Sequence, residues 1–121
     1  MNLSWLLPVH RHLGETLLVL PLVVVAIALL SKRKTLLPRI TAVLLDIQLV
    51  LGFATFVFLT HTVIVLHAVC MFLGLGLAHA FAKKENRTAV AGAFAGVFAL
   101  LLVGYLIQKG KLPGGDLRVT F

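Results

Sequence analysis

Apolar residues come in four long stretches along this 121-residue chain, separated by connections too short to hold a domain. They run from about His12 to Leu30, Ile40 to Leu59, Thr62 to Ala82 and Thr88 to Gln108. A helix of about 20 apolar residues crosses a hydrocarbon core of about 30 Å. Only 12% of the residues are charged and 60% are hydrophobic, whereas about a quarter of a soluble domain is charged. The sequence therefore predicts an all-α integral membrane protein. Short connections make consecutive helices antiparallel neighbours, so the expected architecture is an up-down-up-down four-helix transmembrane bundle over residues 12–108.

The formal charge of +7 would suit nucleic acid if it were spread over a surface. It is not. Lys32, Arg33, Lys34 and Arg39 fall in the first connection, and Lys83, Lys84 and Arg87 in the second. Basic residues in short connections mark the cytoplasmic side, so nucleic acid is excluded as a partner and the lipid bilayer takes its place. Both termini are then expected outside, where Arg11, Lys109, Lys111 and Arg118 are partly balanced by Glu15 and Asp116. Residues 1–11 form an outer interfacial lead, with Trp5 at the boundary and Pro8 near a helix start. They lack the pattern of a cleaved signal and are expected to be retained. Residues 109–121 form a polar outer tail, rich in Gly and Pro and expected to be loosely ordered unless something binds it. The lone Cys70 permits neither an internal disulfide nor a cysteine metal cluster.

The third stretch carries three histidines, His61, His67 and His79. At about 100° per residue, His67, Met71, Gly74 and Ala78 share one stripe, while His61 and His79 lie about 120° away. A histidine inside a span faces protein, water or a cofactor rather than lipid. On the outer side His10, His12, His61 and His67 gather, with His67 about 9 Å below His61 along the helix. Two histidines from different helices can hold a haem iron from both sides, and His/Met ligation is an alternative. His12 with His67 is the preferred pair, with His61 as a substitute. Met71 and Gln48 would line the pocket, and small residues such as Gly74 and Gly52 leave room for a macrocycle. In the plainer reading, His67 hydrogen-bonds to Gln48, Thr55 or a backbone carbonyl and joins helices. The spacing of the outer histidines matches no zinc or copper motif.

In the second stretch Gln48, Gly52, Thr55 and Leu59 form a stripe expected to face the other helices. Asp46 points about 160° away from Gln48, toward the cytoplasmic half. A carboxylate in a span is a candidate for function. With His79 it can relay protons or bind a quinone head group; with Arg39 or another subunit it can form a structural ion pair. Pro21 predicts a kink in the first span. Gly92 and Gly96, spaced as G-x-x-x-G, allow close helix approach within the bundle or with a second chain, so a homo-oligomer or a larger membrane complex is possible.

The run Asp46-Ile-Gln48-Leu-Val-Leu-Gly52, the His67-x-x-x-Met71 pattern and a histidine opening the first span resemble a family of small bacterial four-span membrane proteins labelled cytochrome b-like. The resemblance covers roughly residues 10–108. This chain departs from the pattern at Leu66, where an acidic residue often stands, in its very short second loop and in its longer tail. The resemblance implies a bacterial inner-membrane, multi-pass protein with b-type haem on His12 and His67. The leading expectation is an electron-transfer component near the quinone pool rather than a stand-alone enzyme. The alternative is a cofactor-free accessory subunit of a respiratory or photosynthetic complex. A small transporter ranks last, because the halves show no repeat and no pair of broken helices.

Overall fold

The computed structural model describes residues 2–31 and 35–121. The expected basic cluster Lys32, Arg33 and Lys34 lies outside the described residues. Helices α1 (Leu6–Leu30), α2 (Leu37–Thr55), α3 (Val65–Phe81) and α4 (Arg87–Gln108) dominate the chain. A π-helical turn, Phe56–Thr60, prolongs α2. Two short strands, β1 (Thr62–Ile64) and β2 (Arg118–Thr120), complete the fold. Among the described residues three helical segments, Leu6–Leu30, Leu37–Thr60 and Arg87–Gln108, are long and apolar enough to cross a membrane. The 17 residues of α3 rise only about 25 Å.

Two boundaries differ from the sequence expectation. Helix α1 starts at Leu6 rather than near His12, so most of the presumed lead is helical. Pro8 allows this because it sits in the first turn, where the backbone N–H would have no intrahelical partner. At the other boundary, the third span was expected to be helical from Thr62, but the chain there is a strand. The π-turn ends at His61, whose φ of 53° is left-handed and breaks the helix. Thr62, Val63 and Ile64 follow, three β-branched residues that favour extended backbone.

The C-terminal tail is ordered, contrary to expectation, because the chain supplies its own partner. Strand β2 pairs antiparallel with β1, Thr62 opposite Thr120 and Ile64 opposite Arg118. The Val65 N–H donates to the Leu117 carbonyl and the Phe121 N–H to the His61 carbonyl, both at 2.9 Å. The Phe121 ring meets Phe56 edge-on, with centroids 5.5 Å apart. Gly114, at φ +112°, lies so close to Leu66 that a Cβ there would collide with the leucine methyl.

The helices pack in the ring order α1, α2, α3, α4, with α2 against α3 the least extensive contact. Helix α4 is the most enclosed, and its buried residues Val90, Phe94, Val97, Leu101 and Gly104 recur every three or four positions. They meet Leu17 and Val24 of α1, Ala42 and Leu45 of α2, and Ala78 of α3. Pro21 is buried on the same stripe of α1 as Leu17 and Val24, so the backbone position it leaves without a donor is covered by protein. The outward faces remain apolar, with Val19, Leu22, Ile47, Val50, Phe72 and Leu73 all exposed. So large an apolar surface suits lipid contact. Arg87 Nη1 donates to the Ser31 carbonyl at 2.7 Å, tying the start of α4 to the end of α1. The two connections therefore adjoin at one end of the helices.

Candidate functional site

Polar residues in the half of the molecule that holds the start of α1 make two contacts, one between α1 and α2 and one between α3 and α4. The first is a reciprocal clasp between α1 and α2. Gln48 Nε2 donates to the His10 carbonyl at 2.8 Å. The Gln48 amide lies over Gly14, where a Cβ would stand 2.9 Å from Nε2. The His10 ring lies over Gly52 in turn, with a Cβ there 2.9 Å from Cε1. Each polar side chain thus rests on a glycine of the opposite helix, and each glycine stands four residues after the polar residue of its own helix. Two buried atoms of this clasp, His10 Nδ1 and Gln48 Oε1, have no hydrogen-bond partner among the described residues. Buried polar atoms are nearly always paired, and these two, a possible donor and an acceptor of the same clasp, are the ones left over.

His67 forms the second contact. Its Nδ1 lies 2.8 Å from the Gly104 carbonyl of α4. A carbonyl only accepts, so the proton is on Nδ1 and the lone pair is on Nε2. The plainer expectation for His67, a bond to a backbone carbonyl, is therefore met on one nitrogen while the other stays open.

The other expected residues divide. His12 is exposed on the outside of α1, and its carbonyl accepts from the Thr16 hydroxyl at 3.1 Å. His61 is exposed beyond the π-turn. The histidine that α1 turns inward is His10, one helical repeat of seven residues before the buried Leu17. That offset is the signal in the sequence, and starting the helix at His12 hides it. Gly74 and Met71 belong to the α3/α4 packing. A Cβ at Gly74 would stand 3.4 Å from Leu101 Cδ2, and Met71 Cε fills the space over Gly104, 2.7 Å from a Cβ placed there. The structure therefore places Gln48 and Gly52 with His10, and His67 with Gly104 and Met71, while His12 and His61 are exposed.

Toward the other end, α2 and α3 carry a carboxylate–imidazole pair. His79 Nε2 lies 2.9 Å from both oxygens of Asp46. Of the partners considered for Asp46, the structure selects His79 rather than Arg39. Both side chains are 48% exposed, so the pair bridges the loosest seam of the fold and faces outward. An ionised carboxylate in the centre of an apolar helix is unfavourable by about 2.5–3.5 kcal/mol, and the imidazole N–H offsets part of this.

His67 and His10 carry the kind of donors that a haem iron needs. An iron-bound imidazole uses one ring nitrogen, while the other donates to a carbonyl or carboxylate. His67 is arranged in that way. His10 is a second imidazole from another helix, with an unpartnered nitrogen, and its own ring fills the space over Gly52. On donor chemistry these residues fit. No protein-family model, curated protein or solved structure matches the chain.

Proposed function

We propose that this chain is a small membrane haem b protein that carries electrons near the quinone pool. The observation that carries the reading is His67, anchored through Nδ1 on Gly104 with Nε2 open, together with the unpartnered nitrogen of His10 on α1. His67 and His10 would hold the iron. Haem b supplies a one-electron carrier. The protein's part is to fix the His67 tautomer through the Gly104 carbonyl, to keep both rings partly buried and to hold the Gln48 amide beside His10. Gly52 keeps α2 close to His10 without a side chain between them.

The proposed topology has four crossings of a bacterial inner membrane with both termini outside. Helix α3 makes the third crossing although it is short. Strand β1 adds about 10 Å at 3.3 Å per residue, and β2 satisfies its backbone groups where lipid would not. Lys83, Lys84 and Arg87 then mark the cytoplasmic end. Among the G-x-x-x-G residues, Gly96 is already taken by Leu77, with a Cβ there 3.0 Å from Cδ2, while Gly92 has open space. Gly92 is therefore the position for contact with a second chain or a larger complex.

Oxidised and dithionite-reduced visible spectra of the detergent-purified chain test the proposal. The expected result is a sharp reduced α-band at about one haem per chain, lost in His67→Ala and His10→Ala but kept in His12→Ala. A colourless, folded preparation without iron overturns it. The clasp would then serve only to hold helices together, which is the accessory-subunit reading.

A further inference from the structure

The Asp46–His79 pair has a geometry that the proposed haem site does not use. The carboxylate of Asp46 only accepts hydrogen bonds, so the proton of a neutral His79 sits on Nε2, between the two oxygens at 2.9 Å. The lone pair is then on Nδ1, which has no hydrogen-bond partner among the described residues. Both side chains are half exposed, in a seam whose flanks are apolar. Val43 and Val50 of α2, one turn to either side of Asp46, are exposed, as is Phe72 of α3. Gly76, three residues before His79, has nothing within 4 Å of the position a Cβ would take. This leaves a flat, unfilled surface beside the imidazole. His79 lies in the last turn of α3, near the water interface, so a ligand that competes with water for this acceptor from the bilayer side must be soluble in the bilayer and carry a hydrogen-bond donor such as a hydroxyl.

We infer that the α2/α3 seam binds the head group of a membrane-soluble hydroquinone, whose hydroxyl donates to His79 Nδ1. The ring lies over Gly76, and Asp46 is a positioning residue that holds the imidazole in its accepting tautomer. A phenolic O–H is a stronger donor than an alcohol, and a flat ring matches a surface opened by a missing side chain. The inference rests on the proposal that the chain works beside the quinone pool, but it does not depend on the haem. Along α3, His67 and His79 are about 18 Å apart, so the two sites are separate.

The test uses the full-length chain in phosphatidylcholine nanodiscs, titrated with decylubiquinol under reducing conditions. Bound quinol is measured against protein-free discs, and the nitrogen resonances of ¹⁵N-histidine-labelled protein are followed. The expected result is saturable binding above the partition into lipid, with a shift of the His79 Nδ1 resonance. His79→Phe and Asp46→Asn should weaken binding at least tenfold, and Lys111→Gln should leave it unchanged. The dimethyl ether of the same quinol has no hydroxyl to donate and should not bind above partition, a result that needs no variant to fold. Equal binding of the quinol and its ether overturns the inference, as does quinol uptake no greater than that of empty discs. The visible spectrum of the same sample decides the haem proposal separately, so failure of one is distinguishable from failure of the other.

Discussion

Gly104→Val is expected to destabilise the protein by about 3 kcal/mol, near the upper end for overpacking a closed interface. A Cβ at this position would stand 2.7 Å from Met71 Cε and 3.1 Å from Cys70 Cβ, with the His67 carbonyl oxygen at 3.5 Å. The methionine end is flexible and can withdraw. The Cys70 Cβ is fixed to the α3 backbone, so the helices must separate. In lipid the association of helices depends on close packing rather than on excluding water, and α3 and α4 share the most extensive contact in the fold. Separation would also lengthen the 2.8 Å bond from His67 Nδ1 to the Gly104 carbonyl, which orients the imidazole. Reversible unfolding in mixed micelles measures the change. Gly92→Ala is the comparison, because nothing lies within 4 Å of its added methyl. Removing a glycine from an exposed helix position should stabilise it by roughly 0.5–1 kcal/mol. Equal effects of the two substitutions would show that the α3/α4 contact at Gly104 is not tight.

Removing residues 112–121 is expected to lower stability by about 3 kcal/mol and to loosen the start of α3. The deletion takes away β2, and with it the partners of Thr62–Ile64, the Leu117 acceptor of the Val65 N–H and the Phe121 ring that packs on Phe56. Each net hydrogen bond contributes about 1 kcal/mol, and an edge-to-face aromatic pair about 0.5–1.5 kcal/mol. Water at the interface recovers part of the loss, which is why the total stays near the lower sum. The local reading is hydrogen exchange at Val65, which should become much faster while amides near Phe94 stay protected. Unchanged unfolding and unchanged Val65 exchange would show that the tail merely rests on the surface.

The α1/α2 clasp shows how far a helical-wheel reading reaches. Spacing alone puts Gln48 and Gly52 on an inward stripe, and they do face α1. The α1 residue against them is His10, two residues before the His12 that the sequence favours as an iron ligand. Moving the helix start from Leu6 to His12 changes nothing about the angle between His10 and His12, but it removes His10 from consideration as a helical residue. The rotation of α1 is set by Leu17, Pro21 and Val24 packing on the other helices. The seven-residue step back from Leu17 then selects His10. For Asp46 the sequence left His79, Arg39 and another subunit as partners, since each lay within reach of a long side chain or an adjacent helix. The pairing was decided by the crossing of α2 and α3, which brings Asp46 opposite His79.

Composition and the length of the apolar stretches determined by themselves that the chain is helical and belongs in lipid. Unpaired backbone groups and charged side chains are too unfavourable there for another arrangement. The placement of the basic connections was likewise a property of the sequence. Only the tertiary structure decided which glycines matter, because Gly52 and Gly104 receive a neighbour's side chain while Gly92 receives none. It also decided that the tail is a strand. Residues 118–120 have no strand partner in their own neighbourhood of the sequence, and the edge that orders them, Thr62–Ile64, comes into reach only after α3 and α4 have folded back on each other.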